Sequence, residues 1–379
     1  MDAAQREATI RSRWRAAIYL GLLSSTFSTI ISQLTAGRIG RDAAVDWMSV
    51  AAIPARDWAL SAEPSLIAIA IGIAFHQTAD FSWALVFFGV CGRWTDRLQP
   101  RTLAVLAFPW ALLTSGLEWF ILVPLFPFFQ PIFTLQQPYW IGFLVHLSSA
   151  SMYPVYAWLR RRNCENSLGS QRFLRRWCAA ALVAVVTLGI WDLFASIQRD
   201  IPWIGRDAAR DQRFMRHMAT HHEQGIALAT IADEKAIDPH LKSLARLMVA
   251  SQRGERSALL RWWQSWFSLS MDLCTTEERA AMPGYLEQSQ IATLQAADGR
   301  EFDATFVKLM SIHHAGAVAM ADKELRQGSD FRLRLMAHAI RHEQQGEIAL
   351  MQGVKGLDAV ALAFRHMLSD RINVTTAAD

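Results

Sequence analysis

Charge is scarce in this sequence: 19% of its residues are Asp, Glu, Lys or Arg, against 52% hydrophobic ones. That balance is too apolar for an ordinary soluble protein of 379 residues. Cysteine is scarce too. The four are Cys91, Cys164, Cys178 and Cys274, and no two form a CxxC pair, which argues against a disulfide framework or a thiolate zinc site. No glycine-rich phosphate loop occurs, and neither does a serine or cysteine nucleophile motif. The net charge of +4 is small and its arginines flank apolar runs. They read as topology signals rather than as a nucleic-acid surface. These absences point away from an enzyme and away from a nucleic-acid partner.

What is present begins with apolar runs. A helix that crosses a bilayer needs roughly 20 apolar residues, and five segments qualify: 16–34, 65–91, 102–129, 139–159 and 173–197. The first is the weakest, being rich in Ser and Thr. The second is interrupted by FHQTADFS and is expected to kink there or begin late. Arginine sets the direction. Arg6, Arg11, Arg13 and Arg15 precede the first span, and Arg93, Arg97 and Arg101 lie between the second and third. Arg160, Arg161, Arg162, Arg172, Arg175 and Arg176 lie between the fourth and fifth. The loop QPIFTLQQP carries no charge, and the loop after span one offsets Arg38, Arg41 and Arg56 with Asp42, Asp46 and Asp57. Alternate basic loops predict a cytoplasmic N-terminus. The basic start MDAAQREATIRSRWR then reads as a cytoplasmic flank rather than a cleaved signal. An odd span count places everything beyond about residue 200 in the periplasm of a bacterial cell, with the bilayer as the inner membrane.

Beyond a linker at 201–211, which opens with IPWIGRD, the chain repeats itself at a constant offset of 92 residues. FMRHMATHHEQGIALA at Phe214 matches FVKLMSIHHAGAVAMA at Phe306. The same offset pairs Gln252 with Gln344 and Glu255 with Glu347. Apolar residues recur at three and four positions, as in Met215, Met218, Ile226 and Leu228, which is a helical period. Asp238 before Pro239 and GSD at 328–330 punctuate each helix pair, and TTEE at 275–278 reads as a helix start. The expected organisation is a transmembrane domain at 1–200, a first helical hairpin at 212–268 and a connector at 269–300. A second hairpin follows at 301–356, then a tail at 357–379. The fold class is all-α: about five transmembrane helices, then a soluble four-helix bundle built from two repeated hairpins.

Each repeat sets Met before a His pair on one helix face: Met218 with His221 and His222, Met310 with His313 and His314. Met320 follows in the second copy, which also carries His338 and His342. A thioether beside an imidazole suits soft or borderline metals, Cu(I) through Met and Cu(II) or zinc through His. Calcium and magnesium want carboxylates, which are few here. The alternative for any one such residue is core filler. That reading is the stronger for His217 and His240, which the offset matches to Leu309 and Arg332.

The pattern F-x3-M-x2-HH-x-(G/A)-A-x2-MA, followed by a helix with Q-x2-E-I-x2-M, resembles the bacterial "domain of unknown function 305" family. The resemblance covers about residues 212–353, and the second copy is the closer one. The first departs at Leu228, Arg256 and Leu259, which implies a weaker site there. The resemblance implies a ferritin-like four-helix domain outside the cytoplasm that binds copper for tolerance. It implies as ligands Met218, His221, His222, Met310, His313, His314, Met320 and Met351. A di-iron oxidase would need ExxH motifs on two helices, and none stands at a suitable place. Copper is thus the expected cofactor, with zinc second. The expected partners are a metal ion, the bilayer, and a second copy or a periplasmic copper-handling protein.

Ionisable residues inside membrane spans are costly and mark function by default. His76, Asp80, Glu118, His146 and Asp192 are the candidates. They fit a metal or proton relay, a metal or haem site, or a polar network that glues helices. The first of these gives the alternative function: a metal or small-solute transporter whose outer bundle collects the ion.

Overall fold

The computed structural model describes residues 3–126, 128–130, 132–160, 168–267 and 270–368, and no strand occurs among them. Arg161, Arg162 and Cys164 lie outside the described residues, as do positions 369–379 of the expected tail. In chain order the first helices are α1 (Ala3–Ala36), α2 (Ala43–Ala55), α3 (Leu66–Leu85), α4 (Gly92–Thr95), α5 (Pro100–Leu117), α6 (Val123–Leu125) and α7 (Ile132–Gln136). Then come α8 (Tyr139–Ala150), α9 (Tyr156–Leu159), α10 (Leu168–Ser196), α11 (Ala208–Lys235) and α12 (Pro239–Phe267). The last are α13 (Thr276–Ala280), α14 (Gln288–Ala296), α15 (Gly299–Gln327), α16 (Phe331–Met351) and α17 (Gly356–Leu368).

The chain divides into two compact units. Unit 1 takes Met1–Thr35, Ile73–Ile121 and Trp140–Ile190; unit 2 takes Ala36–Gly72, Leu122–Tyr139 and Trp191–Asp379. The sequence draws its boundary near residue 200, whereas contacts also assign two stretches between apolar runs to unit 2. The reason is burial. Val45, Met48, Ile132 and Leu135 share one apolar core with Leu244, Met248, Phe302 and Phe306.

Among the described residues, four helical runs, each lying mostly in unit 1, are long and apolar enough to cross a bilayer: Gln5–Ile39, Leu66–Val90, Pro100–Leu125 and Ser170–Ser196. Large apolar side chains such as Leu22, Val105, Leu182 and Val183 face outward, as lipid-facing residues do. The first run was expected to be the weakest, yet it forms a continuous helix of 34 residues. Its serines turn inward: Ser24 and Ser25 each donate to a carbonyl three residues back, and Ser28 is fully buried. Nor does FHQTADFS interrupt α3, which runs through it unbroken. The break falls instead in the fourth stretch. There α8 ends at Ala150, and a short turn at Tyr153–Val155 leads into α9. Pro154 has no N–H to continue the ladder.

Unit 2 contains the two hairpins, α11–α12 and α15–α16. Their second helices begin at Pro239 and Phe331, one repeat apart. Each start is capped alike: Asp238 accepts from the His240 N–H at 2.8 Å, and Asp330 from the Arg332 N–H at 2.9 Å. Thr275 and Glu278 form a reciprocal capping box at α13, where TTEE was read as a start. The copies are unequal, because α12 continues past the equivalent of Met351. The extension carries Trp262, Trp263 and Trp266, and the first two are buried in a core with Met215 and Met336. The 201–207 linker is pinned, since Arg332 donates to the Ile201 and Pro202 carbonyls at 2.6 and 2.9 Å. Part of the expected tail is α17, whose Ala359 is fully buried.

Candidate metal centre in the helical bundle

The paired histidines meet at the middle of the bundle. His221 on α11 and His313 on α15 pack ring against ring, with centroids 3.8 Å apart. His221 Nε2 lies 3.2 Å from the Pro283 carbonyl, and His313 Nε2 lies 3.2 Å from the His221 carbonyl. A carbonyl can only accept, so Nε2 carries the proton in both rings and Nδ1 holds the lone pair. The neighbouring pair turns to carboxyls. His222 Nε2 is 2.8 Å from Glu255 Oε2, a close approach without hydrogen-bond geometry. His314 Nε2 is 2.7 Å from Glu347 Oε2 and is hydrogen-bonded. These two pairs are the same pair, one repeat apart.

All four rings are fully buried, and Nδ1 of each is buried without a partner. So are both amide atoms of Gln252 and Gln344. Burial drives the imidazoles below their ordinary value: His222 to about 4, His314 to about 3, and His221 and His313 well down. Burial also pushes Glu255 and Glu347 up to about 8 and raises Glu343 well above the carboxylate range. At neutral pH each His–Glu pair is therefore an uncharged imidazole beside a carboxylic acid, which lets it stay buried.

Glycines permit the close approach. A Cβ on Gly225 would strike the Gln252 amide and the His313 ring. Gly284 has φ +70°, open to glycine at little cost, and that turn sets the Pro283 carbonyl against His221. Gln224 holds the same connector through two bonds to the Leu286 backbone, at 2.8 and 2.9 Å.

Two stretches outside the repeat complete the centre. Arg41 contacts Asp46 at 2.7 Å and Glu343 at 3.4 Å. The Gln136 amide donates to Glu343 at 3.3 Å and to Glu347 at 3.4 Å. The sequence reading missed both. The one available signal was polar: QPIFTLQQP carries three glutamines and no charge.

The thioethers go elsewhere. Met218 is fully buried with Phe214 and Leu259 in one apolar core, and Met310 with Phe306 and Leu247 in the other. Met320 and Met351 are partly buried against those cores. The structure thus gathers the four histidines and leaves the methionines as packing, one turn away along α11 and α15. His342 is buried with its ring 5.9 Å from His366 of α17, a residue the sequence reading left in the tail. Burial lowers these two to about 3 and about 4, and His338 is half-buried nearby on α16. His217 approaches Glu278 at 3.8 Å and His240 approaches Asp57 at 3.1 Å. Among the described residues, no three His, Cys, Asp or Glu side chains stand ready to hold an ion.

Of the five candidates in the apolar runs, four come together in unit 1: His76, Asp80, Glu118 and His146. Asp192 belongs to unit 2, where it lies 3.5 Å from Arg38.

Residues 211–355 match the family described as "Domain of unknown function (DUF305)". The match bears out the resemblance read from the sequence, and it runs across both hairpins. Among solved structures, a DUF305 fragment from Deinococcus radiodurans is 27% identical, with TM-score 0.37, and the alignment covers 40% of this chain and 97% of that one. A DUF305 protein from Streptomyces coelicolor is 24% identical, with TM-score 0.35, covering 39% of this chain and 96% of that one. CopM in its Cu(I)-bound form is 28% identical, with TM-score 0.33, covering 38% of this chain and 93% of that one. No curated protein matches the chain.

Proposed function

We propose that unit 2 binds copper through His221, His222, His313 and His314, for copper tolerance, buffering or delivery. The observation that carries this reading is the set of four buried Nδ1 atoms without partners. An unpaired buried polar atom costs about 1–3 kcal/mol, and four at corresponding places in two repeats call for a ligand. The donor chemistry fits. The rings are neutral, as a metal ligand must be. A histidine that binds metal through one nitrogen gives its other N–H to a carboxyl or a carbonyl, and here Nε2 faces such an oxygen in every ring. Copper would supply a soft Lewis acid. Zinc is the second choice. The stacked His221 and His313 rings must separate before their lone pairs can serve one ion.

Unit 1 anchors this site at a bacterial inner membrane, with unit 2 on the periplasmic side. That topology requires the broken stretch 139–159 to cross as well as the four continuous helices. At 1.5 Å per residue it reaches about 30 Å, enough for a hydrocarbon core. Cysteine accessibility in whole cells at residue 206 tests it: labelling by a membrane-impermeant reagent is expected, and protection overturns the topology.

Full-length protein in detergent should take up copper, measured by metal analysis after competition with a Cu(I) chelator. The His313→Ala/His314→Ala double variant should lose it. Unchanged stoichiometry in that variant removes the site.

A further inference from the structure

Unit 1 encloses a second cluster of titratable groups that metal binding in unit 2 does not use. Four of its helical segments contribute. Ser28 comes from α1, His76, Asp80 and Trp83 from α3, Thr114 and Glu118 from α5 and its end, and His146 from α8. The side chains form one unbroken chain. His76 Nε2 lies 3.0 Å from Ser28 Oγ, and Ser28 in turn donates to Asp80 Oδ2. Asp80 Oδ1 is 3.7 Å from His146 Nδ1, which also faces Thr114 Oγ1 at 3.2 Å. His146 Nε2 meets Glu118 Oε2 at 3.1 Å, and Glu118 accepts from the Trp83 indole. No lysine or arginine takes part in these contacts.

Two local features aim the chain. Glu118 opens a π-helical turn, Glu118–Leu122, at the end of α5. Such turns are rare and concentrate at functional sites, because the extra residue re-aims side chains. One residue on, the Trp119 ring packs where a Cβ on Gly142 would be. That lets α8 approach closely and places His146, one turn further along, beside Glu118. A helix glue would need neither the π turn nor two carboxyls. Two carboxyls and two imidazoles have a further property. The proton can sit on either member of each pair while the cluster stays neutral, so its position can change without placing net charge in the apolar interior.

We infer that the chain His76–Asp80–His146–Glu118 is a proton-exchanging site, and that unit 1 moves protons across the bilayer rather than serving as a passive anchor. A proton enters at one end onto an imidazole nitrogen or a carboxylate oxygen. The acceptor's own proton passes to the next member, and Glu118 or His76 releases one at the other end. No bond between heavy atoms changes, and no electrons are transferred.

The test uses full-length protein in liposomes that enclose a pH-sensitive dye, with the membrane potential clamped by potassium and valinomycin. Runs are made with and without Cu(I) outside. Proton flux several-fold above protein-free liposomes is expected in at least one of the two conditions. In Asp80→Asn and Glu118→Gln it should fall to near the protein-free level, while Asp192→Asn, outside the chain, keeps it. No flux in either condition overturns the inference, and so does equal flux in wild type and both carboxyl variants. Circular dichroism and elution profile report whether the variants fold. If they do not, infrared difference spectra of the wild type between about pH 5 and about pH 9 decide. A carboxylic-acid band that shifts in D2O and persists when Glu255, Glu343 and Glu347 of unit 2 are replaced by Gln is expected, and its absence overturns the inference. Copper binding is measured separately, so either reading can fail alone.

Discussion

Both units bury histidines against carboxyls, yet they finish the job differently. In unit 1, neither His76 nor His146 has a buried ring nitrogen without a partner, and the groups close into a chain of donors and acceptors. In unit 2, all four central histidines fix Nε2 against an oxygen and leave Nδ1 unpaired. The same residue types therefore support two kinds of chemistry. A closed chain suits a proton that hops, whereas open lone pairs suit a cation that binds. The clusters differ in charge as well, since unit 2 brings in the guanidinium of Arg41 and unit 1 relies on imidazole alone.

The largest effect should come from that guanidinium. Arg41→Ala removes the cation from a buried group of carboxyls and should destabilise unit 2 by about 3 kcal/mol, as broken buried pairs do. Thermal or denaturant unfolding of the full chain checks this, and a change under about 0.5 kcal/mol would show that Arg41 is surface-like. Next, His313→Ala/His314→Ala should weaken copper at least about 100-fold, or about 2.7 kcal/mol. His76→Ala should leave copper unchanged. Equal losses in both variants would erase the distinction between the clusters.

Smaller effects should separate the repeats. Glu347→Gln replaces the carboxyl hydrogen-bonded to His314 with a carboxamide and should cost about 10-fold in affinity, the usual scale for groups that orient a ligand. Glu255→Gln should cost less, because His222 meets Glu255 without hydrogen-bond geometry. The reverse order would make the first copy the better site. The mildest readout is pH. The unfolded chain protonates its imidazoles below the ordinary 6.5, while folded His222 and His314 resist to about 4 and about 3. Stability is lost as pH falls through that window. Folded Glu255 and Glu347 keep protons up to about 8 that the unfolded chain sheds above 4.5, so stability is also lost as pH rises towards 8. The lowered imidazoles His221, His222, His313, His314, His342 and His366 outnumber the raised carboxyls Glu255, Glu343 and Glu347, so metal-free protein should gain stability as pH rises to the ordinary 6.5 and be most stable near there. A maximum above pH 8 would contradict the buried, neutral pairs.

Much of this was legible in the residues. The apolar runs, the repeat at offset 92 and the cap positions Asp238 and Asp330 follow from local rules, because helical period and capping depend on neighbours in the chain. The His pairs were legible too, since duplication preserved them. The weak span was misjudged. Hydropathy penalises Ser24 and Ser25, but a serine inside a helix can satisfy itself on a carbonyl of the preceding turn, whereas Pro154 has no such remedy.

Local pattern thus determined the helices, their duplication and the paired histidines. Only the tertiary structure decided which of those side chains meet. Met218 shares a helix face with His221 in sequence, yet burial drew it into an apolar core. Asp192 looked like a fifth intramembrane group, and Arg38 paired it within unit 2. Arg41 and Gln136 reach the carboxyls of α16 from positions about 200 to 300 residues away in the chain, because a buried charge or carboxyl must be paired by whatever packing brings near it.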